Sequence, residues 1–116
     1  MAEYLLLIPS DEAAWENATA EDKQLVYEKH REFGELLAER GHKMLNGAEL
    51  APSSTAWTVS GTPDGITVTA GPYAEAVEQL SGFYLIESDN RDDLLECVGR
   101  LASAEGRLEL REVLRS

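Results

Sequence analysis

Residues 82–102 read GFYLIESDNRDDLLECVGRLA. They open on an unbroken apolar run, Phe83-Tyr84-Leu85-Ile86, which suits a strand covered on at least one face. A short polar stretch follows. Asn90 then stands where a helix N-cap belongs, and Asp92 and Asp93 fall in the first turn, at the positive end of the helix dipole. Leu94, Leu95, Val98, Leu101 and Ala102 recur at helical spacing and predict a buried stripe on a helix from Arg91 to about Ala102. A strand that runs directly into an amphipathic helix is the first half of a β-α-β unit.

The N-terminal third repeats this order. Glu3 to Ile8 reads as a strand, and Pro9, which has no N–H for a ladder, ends it. Ser10 to Ala18 reads as a polar loop with Trp15 as its one large apolar residue. Thr19 caps a helix from Ala20 to Arg40, and Gly41 is placed to terminate it. Its stripe is Val26, His30, Phe33 and Leu37, widened by Leu25 and Leu36. Glu28, Glu32, Glu35 and Glu39 line the other face, so the helix lies on a core. His42 to Leu50 is expected to be extended, with a bend or bulge at Asn46-Gly47. Thr55 to Ser60 and Ile66 to Ala70 read as two strands joined by the turn chemistry of Gly61-Thr62-Pro63-Asp64-Gly65. Gly82 to Glu87 and, last, Arg107 to Leu114 complete the strands. The order is β-α-β, a hairpin-rich insertion, then β-α-β. This predicts one domain over residues 1–116, of class α+β, with a ferredoxin-like antiparallel sheet and two helices on one face. The other face needs a cover, and a two-fold homodimer supplies one.

Composition narrows the function. Ten Lys and Arg stand against 22 Asp and Glu, a net charge of −12. That disfavours nucleic acid and anionic membrane as partners. Hydrophobic residues make up 43% of the chain, enough for a core. A single cysteine, Cys97, excludes an intramolecular disulfide and a zinc-thiolate cluster; it reads as a small core residue. No run is long enough to span a bilayer and no basic leader precedes Tyr4–Ile8, so the expected address is the cytoplasm. His30 and His42 lack metal-ligand spacing, Gly61 to Gly65 is not a phosphate-binding loop, and no G-x-S-x-G elbow occurs. Neither a metal nor a cofactor is expected.

Ala70-Gly71-Pro72-Tyr73-Ala74-Glu75 and Glu78-Gln79-Leu80-Ser81-Gly82-Phe83-Tyr84-Leu85-Ile86 resemble the DGPF-type branch of the YCII-related family. Tyr4 to Ile8, Asp11 to Trp15, and Gly47 to Leu50 with Pro52 are similar to it as well, so the likeness runs over nearly the whole chain. The resemblance implies a ferredoxin-like domain assembled as a dimeric α/β barrel. In the wider family a His-Asp pair has been proposed as an active site, and one relative removes chloride from a chlorinated hydroxyquinol. Some DGPF-type proteins occur beside or fused to sigma factors. His30-Arg31-Glu32-Phe33 looks like the segment that carries the family's histidine. The sequence departs from the pattern at Ala70, where the family has Asp, and at Tyr73, where it has Phe. Val77 stands in the place of a lysine, and Ser60 in that of a basic residue.

On that resemblance His30 is the candidate base, since imidazole exchanges protons near neutral pH. A histidine base needs an orienting carboxylate. With Ala70 unable to serve, Glu49 and Glu75 are the candidates. Tyr73, Trp57 and Trp15 are candidate pocket aromatics. Each also has a plainer reading: His30 bonded to backbone or at a dimer seam, Glu49 and Glu75 as ordinary polar residues, the aromatics as core or interface. The expected function is small-molecule binding with cofactor-free acid-base chemistry (elimination or isomerisation) on a small cyclic metabolite. The alternative is a non-catalytic regulatory or interaction protein with a basic protein partner, conceivably a sigma factor.

Overall fold

The computed structural model describes residues 1–114; Arg115 and Ser116, the end of the expected domain, lie outside the described residues. The chain runs β1 (Ala2–Asp11), α1 (Glu12–Asn17), α2 (Ala20–Glu39), β2 (Lys43–Glu49), β3 (Trp57–Thr62), β4 (Gly65–Ala70), β5 (Glu78–Ser88), α3 (Arg91–Glu105) and β6 (Glu109–Glu112), with a 3-10 turn at Ser53–Thr55. Four strands form one antiparallel sheet in the order β2-β5-β1-β6, and β3 and β4 pair as a separate hairpin. This is the ferredoxin-like arrangement. Each helix returns the chain past a neighbouring strand, so β1 lies between two strands that come later in sequence.

Period-two alternation decides which side is core. On β1, Tyr4, Leu6 and Ile8 are buried, and their β5 neighbours Tyr84 and Ile86 share that face. Phe33 and Leu37 of α2 and Leu94, Cys97, Val98 and Leu101 of α3 close over them. Leu95 and Leu25, expected on the stripes, are exposed. Each sits one position from a core residue or from the centre of its stripe, about 100° further round a 3.6-residue helix. Cys97 takes the buried place that Leu95 does not. Leu5, Leu7, Phe83 and Leu85 occupy the opposite face, which no helix covers, and are half-buried.

The starts of α2 and α3 and the end of α2 follow the expected chemistry, while α3 runs on to Glu105, past its expected end at Ala102. Thr19 accepts from Asp22 N–H at 3.0 Å and Asn90 from Asp93 N–H at 3.1 Å. Gly41 has φ +83°, the left-handed conformation that glycine adopts without a Cβ penalty. It donates to Ala38 O while His42 N–H reaches back to Leu37 O at 2.9 Å, the paired bonds of a Schellman stop. The polar loop expected at Ser10–Ala18 is instead the short helix α1. Asp11 caps it by accepting from Ala14 N–H at 3.1 Å. Six residues with one large apolar side chain carry too little periodicity to be read as helix. Strand β5 begins four residues before its expected start, because Glu78, Gln79 and Leu80 pair with the end of β1, which itself runs on through Pro9 to Asp11. Residue 81 is the extra one in a bulge: Ile8 faces Gly82 and Pro9 faces Leu80. The expected bend at Asn46-Gly47 is a second register shift, between Met44 and Asn46. Among the described residues, no helix is long and apolar enough to cross a membrane.

The stop at Gly41 delivers His42 into the core edge, where it is 5% exposed. Its Nε2 is 2.7 Å from Asp93 Oδ2 and its Nδ1 is 2.8 Å from Ser88 Oγ. A carboxylate only accepts, so in the neutral ring Nε2 carries the proton and Nδ1 accepts from the serine. Ser88 in turn accepts from Asn90 N–H at 3.0 Å. Arg40 donates to Asp93 Oδ1 at 2.7 Å. This polar clamp ties the end of α2 to the end of β5 and the start of α3. The His42 hydrogen bond, then Arg40, hold the Asp93 carboxyl below its ordinary value. A lowered folded-state value means that the stabilisation is present above the unfolded Asp value of about 4 and is lost as pH falls through the folded value. Melting temperature followed against pH should therefore drop more steeply on acidification in the native chain than in Asp93→Asn, which should melt lower than the native chain at pH 7.

Candidate functional site

The main cavity is an open cleft of about 830 Å³ at the end of the sheet where β1, β2 and β5 meet α1 and the first half of α2. Its floor is low because two glycines sit there. A β-carbon at Gly82 would approach Ala48 O to 3.0 Å, and one at Gly47 would fall on the Tyr84 ring. With neither β-carbon present, Tyr84 lies across Gly47 and reaches His30.

His30 is 19% exposed at its side chain and lines this cleft. Its Nδ1 is 2.7 Å from the Tyr84 hydroxyl and its Nε2 is 3.3 Å from Glu105 Oε1. Glu105 is the last residue of α3 and its side chain is 10% exposed. By the same donor logic as at His42, neutral His30 carries its proton on Nε2, donates to Glu105, and accepts from the Tyr84 phenol. Burial, then the nearby Glu105 charge, push the Tyr84 phenol above its ordinary value, so it keeps its proton at neutral pH. The arrangement is a hydrogen-bonded line, Glu105–His30–Tyr84, ending in a hydroxyl at the cleft. A carboxylate that fixes an imidazole, which then faces a hydroxyl, is the wiring of a proton relay.

The expected residues separate. Trp15 and Glu49 line the cleft with His30. Glu49 does not touch His30. Both its oxygens accept from Tyr27 O–H at 3.1 Å, and the phenol of Tyr27 is raised by burial first and by Glu49 second. Glu75 does not touch His30 either: it is exposed in the segment joining β4 to β5, outside the cleft lining. Tyr73 in that segment is 95% exposed and Trp57 on β3 is 75% exposed, and neither lines the cleft. The β3–β4 hairpin and the segment that joins β4 to β5 carry these three residues away from the cleft. The carboxylate beside His30 is Glu105, which the expected end of the second helix at Ala102 had left out. Gly106, read as a helix terminator in the way Gly41 was, would have made Glu105 the last helical residue. Tyr84 was legible too, since it is two residues from Ile86 and so faces α2.

His42, Asp93 and Cys97 place one potential ligand atom each within 4.8 Å of one another. In the structure the imidazole and the carboxylate bond to each other and the Arg40 guanidinium holds the other carboxylate oxygen. Burial, and then the Asp93 charge, push the Cys97 thiol up, against the thiolate a metal requires. These residues fit a polar clamp.

The YCII-related domain matches residues 2–116, and the chain belongs to that family. It is similar to the uncharacterized protein R00369 of Rhizobium meliloti (strain 1021), 32% identical over 108 residues, which cover 87% of this chain and 81% of that one.

The His30 wiring has a direct spectroscopic signature. Long-range 1H–15N spectra of the imidazole should show the Nε2–H tautomer in the neutral ring. Tyr84→Phe should shift the Nδ1 resonance toward that of a nitrogen without a hydrogen bond, and Gly47→Val, which crowds the Tyr84 ring, should do the same.

Proposed function

We propose that the chain is a small-molecule-binding protein of the DGPF-type branch whose cleft carries out cofactor-free proton transfer on a small cyclic ligand. The observation that carries this reading is the Glu105–His30–Tyr84 line at the wall of the cleft. The phenol of Tyr84 stays protonated, so it takes a proton from a ligand only as it hands its own to His30 Nδ1. The imidazolium so formed is stabilised by Glu105. Reversal returns a proton to a different ligand atom in an isomerisation, or to a leaving group in an elimination. Glu105 supplies the orienting role that was expected of Glu49 or Glu75.

The test is a thermal-shift screen of small cyclic metabolites, followed by exchange of ligand C–H with D2O for each hit. Hits should raise the melting temperature of the native chain. His30→Ala and Tyr84→Phe should keep most of the binding but slow exchange about 100-fold or more, the usual scale for a lost general base. Binding without exchange in the native chain would leave a binding protein. No hits would remove the ligand reading and favour the rival, a protein-interaction role, which predicts salt-sensitive capture of a basic partner that His30→Ala does not alter.

We also propose a homodimer. Trp57, Val59, Ile66 and Val68 lie on one face of the hairpin, with Thr58, Ser60, Thr67 and Thr69 on the other. That apolar face is more than half exposed at each of its four residues. Residues 51–77 hold only two charged side chains, Asp64 and Glu75, in a chain that is 28% charged. Depletion of charge around exposed aromatic and branched residues is the composition of an interface core. A second copy offers the same hairpin and the same uncovered sheet face, Leu5, Leu7, Phe83 and Leu85, so two-fold pairing matches like with like. Sedimentation equilibrium should give twice the monomer mass, and Val68→Lys should return it to the monomer. A native monomer at micromolar concentration would refute the assembly.

A further inference from the structure

The charge of the cleft points to the class of ligand. Four carboxylates line it, Glu12, Glu16, Glu49 and Glu105, against a single lysine, Lys23. With His30 neutral, three negative charges are left over. Among the described residues, no ion pair reaches Glu12, Glu16 or Glu49. Two of these carboxylates are held by neutral donors. Glu12 accepts from Ser53 N–H at 2.7 Å and from the Ser53 hydroxyl, and Glu49 from the Tyr27 hydroxyl. Such donors fix a carboxylate in place without bringing a compensating charge.

Aromatic faces stand beside these charges. Trp15 and Tyr27 meet edge to face, with ring centroids 5.7 Å apart at 88°. The Lys23 ammonium already lies 5.5 Å from the Trp15 ring centroid. A cation thus rests against the aromatic wall in the structure, supplied by the protein itself. Fixed carboxylates next to an indole and a phenol are the elements that recognise ammonium groups, through charge and through the negative face of the ring. The overall charge of −12 adds a long-range field of the same sign.

We infer that the cleft takes an organic cation: an alkylated or protonated amine on an apolar ring, its nitrogen between Glu49 and the Trp15–Tyr27 wall. The ring body lies beside Ile8, over the floor that Gly47 and Gly82 keep low. Lys23 is the built-in competitor for that place. This inference rests on the reading of the cleft as a small-molecule site and adds the sign of the ligand's charge.

The test uses three probes of one size and three charges: benzyltrimethylammonium, benzyl alcohol and benzoate. Each is titrated into the 15N-labelled native chain at low salt, with Trp15 indole N–H and the Tyr27 and Gly47 amides as reporters. The cation should bind about tenfold or more tightly than either of the others, and salt should weaken it. Glu49→Gln should erase the preference. Lys23→Met, which removes the competitor and its positive charge, should tighten the cation severalfold; an anion site would respond in the opposite sense. Benzoate or benzyl alcohol binding in the cleft as well as the cation does would overturn the inference and leave the small-molecule reading intact. Shifts confined to acidic surfaces outside the cleft would overturn it too. Silence of the cleft reporters to all three probes, and to every member of the metabolite screen, would sink both readings together.

Discussion

Strands β1 and β5 lie side by side at the centre of the sheet, and their register sets where every polar group of interest ends up. Leu6 opposite Tyr84 and Tyr4 opposite Ile86 put one alternating row under the helices. Along β5 that same row runs Gly82, Tyr84, Ile86, Ser88. It starts at the cleft floor, passes the partner of His30, enters the core and ends at the partner of His42. A one-residue slip of this pairing would turn the whole row to the uncovered face. The bulge at residue 81 is where the ladder absorbs its extra residue, and Ser81 is tied there by its hydroxyl to Ile8 O at 2.8 Å.

The two histidines are wired alike and live in different surroundings. Each has a carboxylate at Nε2 and a hydroxyl at Nδ1, and in each case the hydroxyl comes from β5 and the carboxylate from α3. At His42 the hydroxyl is Ser88, sealed in the core and engaged by the Asn90 amide, and the carboxylate is shared with Arg40. Nothing is left for a ligand to use, and the result is a clamp between elements. At His30 the hydroxyl is a phenol on an open cleft, and among the described residues no guanidinium pairs with the carboxylate. Surroundings, more than the identity of the three groups, separate a sealed network from one that opens onto a cleft.

Local chemistry was the legible part of the sequence. Thr19 and Asn90 as caps, Gly41 as a stop, Phe33, Leu37, Leu94, Val98 and Leu101 as core, and the hairpin around Pro63-Asp64-Gly65 all follow from short-range rules that need no tertiary information. The order of elements then admits few sheets, and the ferredoxin-like one fits. The site was less legible because it is assembled across the chain. Glu105 is 75 residues from His30, and spacing carries no record of such a pairing. Glu49 was correctly placed near a bend but binds Tyr27, a residue whose position on the helix faces neither the predicted stripe nor its acidic back. Trp15 reached the cleft because α1, too short to show a period, folds back against the end of the sheet. The charge balance of the cleft could not be read at all until the fold chose which of the chain's 22 acids to gather there.

The strand order also has a consequence for synthesis. Within the main sheet, β1 pairs only with β5 and β6, and β2 pairs only with β5. While the ribosome is still translating residues before Glu78, neither β1 nor β2 has a neighbour, and the apolar stripe of α2 has no sheet to lie on. Among the described strands, the β3–β4 hairpin is the pair that can close early, since its partners are adjacent in sequence. Folding of the main sheet is therefore held back until the last third of the chain has emerged, and depends on closing long loops. The nascent chain meanwhile carries in the open a hairpin rich in branched residues, with Asp64 as its one charge, which is the kind of surface that exposes an unfinished chain to aggregation.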